Sequence, residues 1–157
     1  MKNIVISLLG ERGVSVVDMA QLVVELQKQY LPVTMEIAIE NIEKVLDKRE
    51  VQNALMTGIQ LDKLTEKDLV EEPLRTILKR DDSLYGIDEI LALSITNIYG
   101  SIGFTNFGYL DKVKPGIIGR LNDEKEAQVN TFLDDLIAGV VAAACSRMAH
   151  SYADNRL

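Results

Sequence analysis

The chain has 157 residues, is 47% hydrophobic and carries a formal net charge of −7, with one cysteine and one histidine. This length suits one globular domain, and the negative charge argues against a nucleic-acid partner, which would require lysines and arginines to neutralise phosphates. With one cysteine and one histidine, the chain can form neither a disulfide framework nor a Cys/His zinc site. The longest apolar run, 136–145, is about half of the ~20 residues that span a bilayer. We therefore expect a soluble cytoplasmic protein.

The N-terminal segment is predicted to be helical. Residues 2–9 fit a first helix better than a strand, because a lone strand would have no partner in a chain that is helical elsewhere. Ser15, followed three residues later by Asp18, resembles a capping box. The apolar spacing after it predicts a second helix that ends at Pro32.

A long third helix is predicted from 35 to about 57, capped by Thr34 and stopped by Gly58. Arg49 and Asn53 fall on its apolar stripe, which leaves two alternatives: they pair internally or they reach a polar cavity. Acidic residues at spacings of three and four form its other face, which we interpret as a solvated surface: Glu36, Glu40, Glu43, Asp47 and Glu50.

The middle of the chain is predicted to be less regular. Residues 60–72 are polar, with a short helical turn at 65–69, and Pro73 suits the first position of a helix that runs to 79. From 100 to 120, glycines recur around Pro115. Such a stretch is a candidate substrate loop, where backbone can approach a ligand closely.

The strongest feature is an acidic doublet set into an apolar helix. Thr131 is predicted to cap a helix through His150 that is apolar almost all the way round, and Asp134–Asp135 lies near its start. The arrangement recurs at Asp88–Glu89, in a helix that ends near 99–100. We therefore expect an all-α, single-domain helical bundle over residues 1–157, with these two helices buried and adjacent at its centre.

Buried carboxylates need compensation from a cation, from helix-terminus N–H groups or from a metal ion. Hard cations such as Mg²⁺ prefer carboxylate oxygens, water and phosphate oxygens as ligands. The alternative is that acids in a first helical turn only complement the helix dipole, which is worth ~0.3–1 kcal/mol each. Because both doublets have large apolar neighbours, we favour a metal or catalytic site.

Around these doublets the sequence resembles the phosphatidylglycerophosphatase A family, in particular its soluble members from Gram-positive bacteria. The matching pieces, in the same order and with similar spacing, are Asp88–Glu89–Ile90, the segment Phe107…Asp111…Lys114–Pro115, and Asp134–Asp135–Leu136–Ile137–Ala138–Gly139. The resemblance covers about 85–150. It implies a Mg²⁺-dependent phosphatase that removes the terminal phosphate of phosphatidylglycerophosphate to give phosphatidylglycerol, a hydrolase of phospholipid biosynthesis.

The site residues follow from that resemblance and from the chemistry of carboxylates and lysine. Mg²⁺ would be held by both doublets: Asp88, Glu89, Asp134 and Asp135. Lys114 and Arg120 would bind the substrate phosphate, and Asp111, Lys114 and Asp135 would be the catalytic residues. Asp111 would orient Lys114 or act as a base; the alternative for this pair is a local i, i+3 helical contact.

The membrane-bound relatives carry an Arg directly after the Phe matched by Phe107, where this chain has Gly108, and no counterpart of their N-terminal signature occurs before residue 60. These departures leave two other hypotheses: a non-catalytic helical module that binds a lipid or a protein, and a helical Mg²⁺-dependent nucleotide pyrophosphohydrolase. As a phosphatase, the protein would meet phospholipid by transient contact with the membrane surface or act on another phosphomonoester.

We also expect a homo-oligomer. A small domain with two fully buried helices has few other elements to cover both of them, and a second subunit would supply that cover.

Overall fold

The computed structural model describes residues 1–124 and 128–154, and within those ranges the chain is helical with no strand. The predicted all-α class is confirmed. The helices are α1 Lys2–Glu11, α2 Val16–Gln27, α3 Met35–Leu46, α4 Arg49–Glu66, α5 Leu74–Arg80, α6 Ile87–Thr96, α7 Ser101–Val113, α8 Ile117–Asp123 and α9 Leu133–Asp154, with a 3₁₀ turn at Asn97–Tyr99 after α6.

The starts of α2 and α3 are set by local side-chain caps. Ser15 Oγ accepts a hydrogen bond from the Asp18 amide at 3.1 Å, and Asp18 Oδ2 accepts one from the Ser15 amide at 2.9 Å. Thr34 Oγ1 accepts from the Ile37 amide at 3.4 Å. Each bond satisfies an N–H that has no partner within its helix. The predicted capping box and the Thr34 cap are confirmed.

The predicted helix over 35–57 is wrong: it is two helices, α3 and α4, separated at Asp47 and Lys48. Gln52 Nε2 donates to the Leu46 carbonyl oxygen at 2.8 Å across this break. The break changes the phase of the following helix, so Arg49 and Asn53 are exposed and neither of their two predicted environments is found. The acidic residues of α3 and the start of α4 are exposed, which confirms the solvated surface.

Gly58 does not stop a helix but lies in the middle of α4, where α9 crosses it. A Cβ at this position would lie 2.9 Å from Phe132 Cβ and would overlap Leu136. Glycine is therefore needed for the contact between α4 and α9. The turn predicted at 65–69 is wrong in the same region, because α4 continues to Glu66.

The predicted substrate loop at 100–120 is also wrong, since α7 and α8 occupy most of it. Gly103 lies within α7, and a Cβ there would be 3.1 Å from the Thr96 carbonyl oxygen. This glycine serves the close packing of α7 against the preceding segment, and it does not give backbone access to a ligand. The predicted linker at 122–130 lies partly outside the described residues.

Helix α9 is the centre of the bundle. Its side chains from Leu133 to Cys145 are buried, and α2, α3, α4, α6, α7 and α8 all pack on it. Helix α6 is its neighbour, as predicted, and a Cβ at Gly139 would lie 2.9 Å from the Ala92 carbonyl oxygen. However, α6 is buried on one face only: Ile87 is 50% and Ile90 61% exposed.

None of the helices within the described ranges has the length and apolarity needed to cross a bilayer.

Candidate active site

A pocket of about 350 Å³ opens where the N-terminal ends of α6 and α9 meet the C-terminal end of α7. Both acidic doublets line it, as do Asp111 and Lys114. Its other lining residues are Asp81, Asp82, Ser83, Leu84, Tyr85, Gly86, Asn122 and Thr131. Among the described residues that line the pocket, Lys114 is the single basic side chain, so the pocket is strongly acidic.

Lys114 lies among three carboxylates. It ends α7 in the left-handed conformation, with φ at 46°. Its ammonium Nζ lies 2.9 Å from Asp134 Oδ2, 3.0 Å from Asp111 Oδ1 and 3.6 Å from Asp135 Oδ1. The local i, i+3 pair with Asp111 therefore exists, and it is extended to the doublet on α9.

Burial and mutual repulsion perturb the titration of this cluster. Burial alone would lower the pKa of Lys114, but Asp134 and Asp111 outweigh it and raise that pKa above its ordinary value of 10.5. Burial raises the pKa of Asp135 to about 9, with a further contribution from Asp134, and that of Asp134 to about 6. The pKa of Asp134 rises less because Lys114 lies closer to it.

The first doublet is less buried than the second. Glu89 is exposed and Asp88 is half-buried, and Asp88 Oδ1 accepts a hydrogen bond from the Glu89 amide at 2.9 Å. Burial raises the pKa of Asp88, and the neighbouring charges of Asp81 and Asp111 raise it further. Asp88 also contributes to the raised pKa of Asp135, so the two doublets act on each other electrostatically across the pocket.

The residues fit a hard divalent cation in donor chemistry and in charge. The carboxylates offer oxygen ligands, which such a cation prefers, and the single positive charge of Lys114 does not neutralise the negative charge of the carboxylates that line the pocket. In the geometry found here, no three carboxylates within residues 1–124 and 128–152 converge on one coordination point. The Lys114 ammonium occupies the space between Asp134 and Asp111 instead.

Two residues lie elsewhere than predicted. Arg120 does not line the pocket; it donates to the carbonyl oxygen of Gly13, and Glu124 lies 3.9 Å away. Thr131 does not cap α9: its hydroxyl donates to the Leu78 carbonyl oxygen at 2.7 Å, and the amides of Phe132 and Leu133 bond to a residue of α4. The expected phosphate contact of Arg120 is therefore not supported by its position.

The cap of α9 comes from Asp62 on α4, which sequence reasoning missed. Its two carboxylate oxygens accept the amides of Phe132 and Leu133 at 3.2 and 3.1 Å. Burial raises the pKa of Asp62, while the two N–H groups and the charge of Arg12 oppose that rise. No local pattern in the sequence indicates this role, because the Asp62 carboxylate and the amides that it accepts are about 70 residues apart. The one indication is an acidic residue on the buried face of α4.

Gly108, where the membrane-bound relatives carry an Arg, is exposed on α7 and does not line the pocket. A Cβ there would have no neighbour within 4 Å. Residue 108 lies one helical turn before Asp111, so the glycine leaves this part of α7, close to the pocket, without a side chain.

Fold and site together define an all-helical protein with a carboxylate-rich pocket built around one lysine. The sequence model of phosphatidylglycerophosphatase A matches residues 10–150, and the chain belongs to that family. It is 58% identical over 141 residues to the uncharacterized protein YutG of Bacillus subtilis, covering 89% of this chain and 85% of the relative.

Solved structures share the fold at similar identity. The low temperature requirement C protein from Listeria monocytogenes superposes with a TM-score of 0.94 at 55% identity, over 97% of this chain and 96% of that one. A protein of unknown function from Bacillus stearothermophilus gives a TM-score of 0.93 at 56% identity, over 96% and 94%. At these identities the whole fold is shared.

Proposed function

We propose that the protein is a Mg²⁺-dependent phosphomonoesterase that removes the terminal phosphate of phosphatidylglycerophosphate. The observation that carries this proposal is the Lys114 ammonium held between Asp111 and Asp134 in a pocket that both acidic doublets line. Membership of the phosphatidylglycerophosphatase A family supports the same substrate class. The phosphate would enter the pocket, and the lipid would be met at the membrane surface.

Asp88, Glu89, Asp134 and Asp135 are the residues that would hold the cation. When bound, Mg²⁺ neutralises phosphate oxygens and lowers the pKa of a water molecule. The half-buried and exposed state of the first doublet leaves it open to ligands from solvent, while Asp134 and Asp135 are 5% and 4% exposed. The site is thus open to solvent on the side of Asp88 and Glu89 and enclosed by protein on the side of Asp134 and Asp135.

The side chains around the phosphate have distinct roles. Lys114 places a positive charge against the phosphoryl oxygens, where negative charge is concentrated during transfer. Asp111 holds that ammonium from the same helix end, at 3.0 Å. With a cation bound, Asp135 would be ionised and would accept a proton from the attacking water. That proton would pass to the oxygen of the lipid alcohol as its bond to phosphorus breaks and the bond from the water oxygen to phosphorus forms.

The alternative of a nucleotide pyrophosphohydrolase gains no support. Its expected Glu-x-x-Glu pattern occurs only on the solvated face of α3, where Glu40 and Glu43 are exposed. A non-catalytic module would keep the fold without turnover. The phosphatase hypothesis accounts for both the acidic doublets and Lys114 in one pocket, since it gives a role to each.

The experiment is phosphate release from phosphatidylglycerophosphate in mixed micelles, from soluble phosphomonoesters and from nucleoside triphosphates, each with Mg²⁺ and with EDTA. We expect release of inorganic phosphate from the lipid in Mg²⁺ and none in EDTA. Pyrophosphate release from a triphosphate would indicate the pyrophosphohydrolase. Absence of turnover on the whole panel would indicate the non-catalytic module.

A further inference from the structure

Polar side chains from two distant helices hold the segment that leads into α9. We call residues 129–133 the strap. Arg12, at the end of α1, donates to the Val129 carbonyl oxygen at 2.6 Å and to Asn130 Oδ1 at 2.8 Å. Glu66 accepts the Val129 amide at 2.8 Å and pairs with Arg12 at 2.7 Å. The strap is thus fixed by a buried arginine and its partner, at the main chain of Val129 and at the side chain of Asn130.

Asp62 continues this pattern one helical turn earlier on α4. Its side chain is fully buried, and each oxygen accepts one amide of the strap, those of Phe132 and Leu133. The first N–H groups of a helix have no partner within the helix. Asp62 supplies that partner from another element, on the same face of α4 as Glu66.

The next two residues are Asp134 and Asp135. We propose that Asp62 is a positioning residue that sets the orientation of this doublet in the pocket; the inference rests on the proposed function, which makes the doublet the cation and phosphate site. Asp62 does not line the pocket and so does not touch a ligand there. It acts through the first turn of α9, whose main chain it binds at two successive amides.

The rest of α9 does not depend on Asp62 for its place in the fold. From Leu136 to Cys145 its side chains are buried against six other helices. Loss of Asp62 therefore releases the first turn of α9 while the body of the helix stays packed. The effect is expected at the doublet more than in global folding.

The test compares Asp62→Ala, Asp62→Asn and wild type by the affinity for Mn²⁺, followed by electron paramagnetic resonance, and by kcat and KM for a soluble phosphomonoester. Residues that orient metal ligands typically contribute ~10–100-fold in affinity or activity. We expect Asp62→Ala to lose Mn²⁺ affinity and kcat in that range, with KM near wild type because Lys114 is intact. Asp62→Asn, which keeps one acceptor oxygen, should lie between the two.

Ser15→Ala is the matched control, since it removes the cap of α2, and Ser15 does not line the pocket and makes its side-chain hydrogen bonds with Asp18. It should lower the melting temperature and leave kcat and Mn²⁺ affinity unchanged. If Asp62→Ala behaves like this control, with normal kcat and affinity per folded molecule, the positioning role is overturned. If Asp62→Ala does not fold, the same comparison is made with Asp62→Asn.

The two proposals fail in different ways. A wild type that binds Mn²⁺ but hydrolyses nothing would overturn the phosphatase, and Asp62 would then be judged on Mn²⁺ affinity: weakening in Asp62→Ala supports positioning, and no change overturns it. A wild type that neither binds Mn²⁺ nor releases phosphate would overturn both.

Discussion

The Lys114 ammonium lies 2.9 Å from Asp134 Oδ2, joining the C-terminal end of α7 to the N-terminal end of α9. Each charge is also of the sign that its helix end favours, a cation at a C-terminus and an anion at an N-terminus. The pair is therefore stabilised in the absence of any ligand. On the proposed function, a cation at Asp134 would compete with Lys114 for the same oxygen, and the ammonium would then be available to a phosphate.

The first prediction is that Lys114→Gln will slow phosphate release in the proposed reaction and destabilise the cation-free protein. Breaking a fully buried pair costs ~3–5 kcal/mol, and since the Lys114 side chain is 27% exposed we expect a smaller loss, about 2 kcal/mol in the free energy of unfolding. Loss of one charged donor to the phosphoryl group should lower kcat ~10²–10³-fold. Urea unfolding in EDTA and phosphate release measure the two effects.

Lys112→Gln controls for the loss of one positive charge at the end of α7, because that side chain is exposed and does not line the pocket. Its kcat and stability should match wild type. Equal behaviour of the two glutamine variants would contradict the role of Lys114.

The second prediction concerns pH. The pKa of Asp135 is raised from 3.8 to about 9, so in cation-free protein the folded state holds a proton that the unfolded state releases between these values. Stability should therefore fall as pH rises from about 4 to about 9. Asp135→Asn cannot titrate and should be less sensitive to pH, and more stable than wild type near pH 8. Thermal melts in EDTA at pH 5, 6.5 and 8 measure this difference.

The third prediction concerns the cation and uses the same variant. Millimolar Mg²⁺ should raise the melting temperature of wild type by mass action and have little effect on Asp135→Asn, which should also lack phosphatase activity. Glu50→Gln, which removes an exposed acid on α4, should respond to Mg²⁺ like wild type. Identical Mg²⁺ responses of wild type and Asp135→Asn would count against Asp135 as a ligand.

Local signals in the sequence predict several helices correctly, and they fail where packing between distant segments decides the structure. The capping box at Ser15 and the all-round apolarity of α9 depend on neighbours in the sequence, and both are found in the fold. The break between α3 and α4 carries no proline or glycine. Gly58 resembles a helix stop, yet its role is to admit Phe132 of another element, which a single sequence does not reveal.

In the candidate site too, local patterns predict some residues and miss those that tertiary packing places. Lys114 and the doublets could be singled out because buried acids in apolar helices are conspicuous, and the structure places them around one pocket. The positive charge of Arg120 makes it a candidate for phosphate binding, but α8 carries it toward Gly13. Asp62 could not be found because its partners, Phe132 and Leu133, are brought to it only by the tertiary fold.

The fourth prediction compares two glycine-to-alanine changes. A Cβ at Gly139 would lie 2.9 Å from the Ala92 carbonyl oxygen, a backbone atom that moves only with α6, so Gly139→Ala should destabilise by ~1–3 kcal/mol. Gly108 has open space around it within α7, so Gly108→Ala should stabilise by ~0.5–1 kcal/mol through helix propensity. Urea midpoints of the two variants should move in opposite directions, and a shift of the same sign would refute the backbone contact.

The fifth prediction is self-association. Ile87 and Ile90 on the outer face of α6 are 50% and 61% exposed, which leaves apolar surface that a second copy would cover. Light scattering at micromolar concentration should give a mass above the 17.5 kDa of one chain. Ile90→Ser should weaken association, and Leu69→Ser, a similarly exposed site before α5, should not. A mass of one chain for wild type would contradict the prediction.

The contact between Gly139 and the Ala92 carbonyl has a consequence for how such a protein varies over evolutionary time. Main-chain atoms set the spacing of α6 and α9 at this crossing, and main-chain dimensions are the same whichever side chains fill the core around it. Exchange of apolar residues elsewhere in the interior does not alter this main-chain contact. We therefore expect relatives that have glycine at position 139 to keep the spacing of the two helices that carry the acidic doublets.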